Sequence, residues 1–119
     1  MKSVRVAVIG VGYLGQHHAR IYSEMPDVEL VGVVDIDKKR AERIAQEYKT
    51  SAYSEYTQVL KRVDTASIAV PTELHYQIGK DFLNAGVHIL VEKPMAQTIE
   101  EADELLRLAE RKNLVLQVG

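Results

Sequence analysis

Near the start of the chain Gly10-Val11-Gly12-Tyr13-Leu14-Gly15 sets three glycines at G-x-G-x-x-G spacing, and an acid, Asp35, follows the last of them by twenty positions. Each residue type answers a need of phosphate chemistry. Gly10 lets the chain turn sharply out of a strand, Gly12 lets backbone approach a pyrophosphate, and Gly15 lets the following helix pack closely on that strand. A helix starting near Tyr13 aims its unpaired N–H groups and the positive end of its dipole at the phosphates. The spacing alone is a weak signal, because seven glycines in 119 residues can produce it by accident. Its place, between the apolar β-branched run Val4 to Ile9 and a helical pattern, gives it weight.

Asp35 ends the next strand-like run. There its carboxylate can accept hydrogen bonds from both hydroxyls of an adenosine ribose, and its charge repels a 2′-phosphate, which favours NAD. Lys38, Lys39 and Arg40 follow within a helical turn. They form a solvated helix face or supply a cation to a 2′-phosphate, so NADP stays possible.

The elements that must carry these residues alternate from end to end. Strand patterns cover Val4 to Ile9, Glu29 to Val34, a short piece at Ala52-Tyr53, Asp64 to Val70, Val87 to Val91 and Leu114 to Val118. Helical spacing runs from Tyr13 to Met25, stopped by Pro26-Asp27, and again after Asp37 with Ala41, Ile44, Ala45 and Tyr48 on one face. A short helix is expected over Glu55 to Arg62. Another spans Glu73 to Asn84 with Leu74, Ile78 and Phe82 inward and a cap at Asn84-Ala85-Gly86. Thr98-x-x-Glu101 is a capping box opening a helix with Ile99, Ala102, Leu105, Leu106 and Ala109 toward the core. The rhythm predicts an α/β fold, a doubly wound parallel sheet of about six strands with helices on both faces.

In such a sheet all strand carboxyl ends share one edge, and ligands bind there where the strand order reverses. The glycine loop, Asp35, Val70-Pro71-Thr72, Glu92-Lys93-Pro94 and Gly119 therefore come together. Taken alone, Lys93 is either a solubilising surface lysine or a reacting one. His75 either satisfies local backbone or faces the site. His17 and His18, adjacent on a helix, cannot both ligate one metal, for which spacings near three or four are needed; they are read as structural.

Gly10 to Gly15, Val34-Asp35, Pro71-Thr72-Glu73-Leu74-His75 and above all Glu92-Lys93-Pro94 together resemble the N-terminal half of the Gfo/Idh/MocA oxidoreductases, the family of glucose-fructose oxidoreductase and inositol 2-dehydrogenase. The likeness runs from Lys2 to Gly119. It implies a Rossmann-type domain that binds a nicotinamide dinucleotide through Gly10, Val11, Gly12, Tyr13, Leu14, Gly15, Asp35, Val70, Pro71, Thr72, His75, Glu92 and Lys93. Thr72 stands where many members have asparagine. The resemblance makes Lys93 catalytic, touching substrate beside the nicotinamide and polarising the reacting oxygen or relaying its proton. Glu92 would orient Lys93, and Pro94 would fix the backbone, a place for a cis bond. The implied reaction is hydride transfer between nicotinamide and a hydroxyl-bearing carbon of a sugar, cyclitol or related compound. Family members continue into a second, mostly antiparallel domain that binds substrate. Residues 1–119 are expected to be the cofactor domain alone, inactive without that partner domain; the alternative is a dinucleotide-binding or redox-sensing module without turnover.

Composition narrows the rest. Apolar residues at 46%, charged residues at 27% and a net charge of −2 fit one globular domain and offer no general attraction to nucleic acid or anionic lipid. The chain lacks cysteine, which excludes disulfides and thiolate chemistry. No apolar run approaches the roughly 18 residues of a membrane span, and the first residues show no secretory leader; a cytoplasmic location is expected.

Overall fold

The computed structural model describes residues 3–119. Its elements are β1 (Val4–Ile9), α1 (Tyr13–Glu24), β2 (Val28–Val34), α2 (Lys38–Tyr48), β3 (Ser51–Tyr53), β4 (Thr65–Ile68), α3 (His75–Asn84), β5 (His88–Val91), α4 (Ile99–Arg111) and β6 (Leu116–Val118), with short 3-10 turns at Tyr56–Val59 and Thr72–Leu74. All strand pairs are parallel, in the order β3-β2-β1-β4-β5-β6.

Side-chain alternation along the strands divides the core in two. Ala7 and Ile9 of β1 join Ala66, Ile68, Ile89 and Val91 under Ile78, Phe82, Leu83, Leu105 and Leu108 of α3 and α4. Val8 and Val33 point the other way, to Ala19 of α1 and Ile44 and Ala45 of α2. The expected double layer of helices is present. Among the described residues no helix is long and apolar enough to cross a membrane.

Several boundaries differ from the sequence expectation for identifiable reasons. The strand expected to reach Val70 leaves the ladder after Ile68, because its partner β1 turns away at Gly10 (φ +90°). The last strand starts at Leu116 rather than Leu114, whose N–H instead closes α4 on the Ala109 carbonyl at 2.9 Å. The helix expected over Glu55 to Arg62 is a 3-10 turn, held by Gln58 Oε1 accepting from Ser54 N–H and Glu55 N–H. Leu74, Ile99 and Leu106, expected inward, are 45%, 84% and 47% exposed. On α4 the buried stripe is Leu105, Leu108 and Ala109; Leu106 lies about 100° round the helix from Leu105.

Caps behave as their side chains dictate. Asp37 Oδ1 accepts from Arg40 N–H at 3.1 Å, and Thr98 Oγ1 from Glu101 N–H at 3.1 Å. Glu101 reaches back one residue further than a capping box requires, to Gln97 N–H at 3.3 Å.

Candidate functional site

The chain steps outward from β1 through β2 to β3, then returns to start β4 on the other flank of β1. That reversal opens a crevice above the β1 and β4 carboxyl ends. Main-chain bonds hold its rim: Gly10 N–H to Val34 O (2.7 Å), Ala69 N–H to Ile9 O (2.8 Å), Asp35 N–H to Tyr53 O (3.1 Å) and Gly119 N–H to Val91 O (2.8 Å).

The three fingerprint glycines have different steric reasons. A Cβ at Gly10 would lie 2.6 Å from the Ala69 carbonyl oxygen, and one at Gly15 only 1.8 Å from that of Gly10, so both positions are closed by backbone. Gly12 is unlike them. Its φ of −70° suits any residue, and its missing Cβ would meet only Arg40 Nη1, at 3.9 Å. Space is kept open there although the protein's own packing does not require it. Gly12 is also the N-cap of α1 and offers no side-chain acceptor to the first-turn N–H groups. An open cradle beneath free amides fits a dinucleotide pyrophosphate.

Asp35 anchors this loop as well as ending β2. Its Oδ2 accepts from Val11 N–H and its Oδ1 from Asp37 N–H, both at 2.9 Å, and its side chain is 8% exposed. Lone pairs remain on each oxygen for further donors. The Val11 side chain is fully buried against the α1 and α2 layer, so Val11 serves the site through backbone alone. Because Asp37 caps α2, Arg40 folds back over the loop, with Nη1 3.6 Å from Asp35 Oδ2 and Nη2 3.8 Å from Asp37 Oδ2. Of the three cations that follow Asp35, Arg40 is the one brought to the site. Tyr13 and Leu14, which open α1, are exposed.

Across the crevice, Pro71 is exposed and Val70 and Thr72 are half-buried. His75, read as a residue on the cofactor side, is 1% exposed and sits beneath the rim. Its Nε2 is 2.8 Å from Val70 O and its Nδ1 3.0 Å from Pro94 O, so the ring sits between two rim loops, donating to one of these carbonyls when neutral and to both only as imidazolium. Lys93 is exposed, and the Lys93–Pro94 peptide is cis. Glu92 is half-buried and points away from solvent, with Oε1 3.2 Å from His18 Nε2.

His18 was not legible as a site neighbour from its doublet with His17. The available signal was its spacing from Gly15, since residues three apart share a helix face and Gly15 must face the sheet. His17 turns outward, edge-on to Tyr13 with ring centroids 4.8 Å apart.

Known proteins carry the same architecture. UDP-N-acetylglucosamine 3-dehydrogenase from Acidithiobacillus ferrooxidans is 40% identical over 119 residues, all of this chain and 37% of that protein. Its crystal structure superposes with a TM-score of 0.94 at 39% identity, again over the whole chain and 39% of the other. GenD2 from gentamicin A biosynthesis, solved in complex with NAD, gives a TM-score of 0.96 at 29% identity, over the whole chain and 35% of its length. The chain thus spans well under half the length of these relatives. The model of the oxidoreductase family with an NAD-binding Rossmann fold matches residues 4–119, and with the crevice, its glycine cradle and Asp35 in place the chain belongs to that family, Gfo/Idh/MocA.

Proposed function

We propose that this chain is the cofactor-binding domain of a dehydrogenase that moves hydride between a nicotinamide and a hydroxyl-bearing carbon of a sugar, cyclitol or related compound. The observation that carries the reading is Gly12, an open position at a helix N-terminus with an anchored carboxylate beside it. In this assignment the amides of residues 12 to 15 receive the pyrophosphate and the free lone pairs of Asp35 receive the adenosine ribose. Val70, Pro71, Thr72 and Lys93 line the nicotinamide side. The bound nicotinamide supplies the hydride acceptor or donor. Lys93, three donors on a flexible stem, polarises the substrate oxygen or passes its proton. Substrate orientation and exclusion of water fall to a further part of the parent protein, and residues 1–119 act as one nucleotide-binding module. The likeness to the Acidithiobacillus UDP-N-acetylglucosamine 3-dehydrogenase supports the substrate class.

Calorimetric titration of the chain with NADH and with NADPH tests the cofactor assignment, since no tryptophan is present to report binding by fluorescence. NADH should bind more tightly than NADPH, and Asp35→Ala should weaken NADH at least tenfold, about 1.4 kcal/mol. Absence of NADH binding, or an Asp35→Ala variant that binds as well as wild type, would refute the assignment. For Lys93, the Lys93→Ala variant of the complete protein should lose turnover and keep its NADH affinity.

A further inference from the structure

Ser67, His18 and Glu92 form a line of polar side chains that the dinucleotide assignment leaves unused. Ser67 is fully buried within β4, while its strand neighbours Ala66 and Ile68 face the α3 and α4 layer; its hydroxyl therefore points to α1. A hydroxyl in that position costs free energy unless it is bonded, and His18 Nδ1 at 2.7 Å is its partner. The other ring nitrogen, Nε2, meets Glu92 Oε1 at 3.2 Å, with only 15% of the His18 and 25% of the Glu92 side chain exposed.

A carboxylate only accepts, so Nε2 carries a proton, and when the ring is neutral Nδ1 accepts from Ser67 O–H. The Glu92 carboxylate also lies against Gly119, where a Cβ would come within 3.1 Å of Oε2 and 3.2 Å of Oε1. The Pro94 carbonyl meanwhile lies 3.0 Å from His75 Nδ1. Lys93 is thus bracketed, its preceding residue meeting His18 of α1 and its following residue lying against His75 of α3. A histidine that merely satisfied Ser67 would need one ring nitrogen and could leave Nε2 to water; the contact with Glu92 sets this arrangement apart.

We infer that His18 is a positioning residue: the Glu92 carboxylate selects its Nε2–H tautomer, Ser67 O–H occupies the Nδ1 lone pair, and Nε2–H holds the Glu92 carboxylate so that Lys93 is presented to the crevice in one orientation. The inference rests on the assignment of Lys93 made above. The chemistry stays with Lys93, and His18 acts through Glu92.

Nitrogen-15 NMR of the ring in the wild-type chain should show Nε2 protonated and Nδ1 as the acceptor, a measurement that needs no variant and survives any folding defect. His18→Leu removes the donor, whereas His18→Gln keeps an amide N–H of similar reach. The first should displace the Glu92 carboxyl and Lys93 amide resonances, the second should restore most of that change, and NADH affinity should stay within about twofold in both, since neither touches the glycine loop. In the complete protein His18→Leu should lower kcat on the order of tenfold with little change in the KM for NADH. An Nδ1–H tautomer, unmoved Glu92 and Lys93 signals in His18→Leu, or a Gln variant that behaves like Leu would each overturn the inference. Unmoved signals beside an inactive Lys93→Ala overturn the His18 assignment alone. Full turnover in Lys93→Ala, with the tautomer and the Glu92 response as stated, overturns the Lys93 assignment instead.

Discussion

Alanine at Gly15 and alanine at Gly12 should have opposite consequences, although the two positions are three residues apart. At Gly15 the added Cβ would stand 1.8 Å from the Gly10 carbonyl oxygen, where real contacts almost never fall below 3.0 Å. The Cβ is fixed rigidly to the helix backbone and its neighbour is a backbone oxygen, so helix α1 must move off the β1 loop by more than about an ångström. The cost is about 3 kcal/mol or more, a large share of the roughly 5–15 kcal/mol that holds a domain folded, and thermal unfolding should come about 10 °C lower. At Gly12 the nearest atom is the mobile Arg40 guanidinium, 3.9 Å away, and the backbone already suits alanine. Only the weaker N-cap preference of alanine remains, below about 1 kcal/mol. Gly12→Ala should therefore melt within a few degrees of wild type yet lose at least tenfold in NADH affinity, because the methyl fills the space kept for the ligand. Calorimetry of unfolding and of NADH binding on the same samples decides the matter. A Gly12→Ala variant with intact affinity would refute the cradle, and a Gly15→Ala variant with unchanged melting would refute the packing argument.

Phe82, fully buried between α3 and the sheet, should cost about 3–5 kcal/mol on replacement by alanine, measured by urea unfolding, with NADH affinity retained in whatever fraction stays folded. Burial, and then the 2.6 Å hydrogen bond its hydroxyl donates to Asp81, push Tyr56 up to about 12. The folded state thus holds this proton more tightly than the unfolded one, and the stabilisation, complete below about pH 10, is lost as pH rises toward 12. Tyr56→Phe should remove that alkaline step and cost about 1 kcal/mol at neutral pH, read by denaturant midpoints. The Arg5 side chain and backbone N–H hold Asp64 below the usual carboxylate range, so its contribution is present above about pH 4 and fades as pH falls further. Asp64→Asn should flatten that acid limb slightly, since both side chains are well exposed.

The alternation of elements was readable because strands of a parallel sheet are buried on both faces and announce themselves as β-branched runs. The glycine fingerprint and Asp35 were readable because steric demand and charge are local properties of residue type. The inward faces of Leu74, Ile99 and Leu106 were misjudged, since a helix rotates about its axis to suit its neighbours and one apolar residue more or less does not fix the angle. Arg40 over Asp35, and His18 against Ser67 and Glu92, depend on pairings between elements up to 74 residues apart in the chain, which periodicity does not encode. The roles of Val11 N–H and Asp37 N–H as ligands of Asp35 were hidden for the same reason: backbone amides carry no residue identity.

The rim bonds that run from Gly10, Asp35, Ala69 and Gly119 to the neighbouring strand ends are made by main-chain atoms. The sheet therefore aims each loop at the crevice without consulting the side chain there. Substitutions at Tyr13, Ile36, Thr72 or Lys93, all on this rim and none in the buried core, should leave the scaffold as it stands while changing the surface it presents to a ligand. Asp35 departs from this freedom, because under the proposed assignment its carboxylate is at once ligand and strut. A lineage that exchanged it to accept a different dinucleotide would have to rebuild the support of the glycine loop in the same step, so cofactor preference should drift more slowly here than substrate preference.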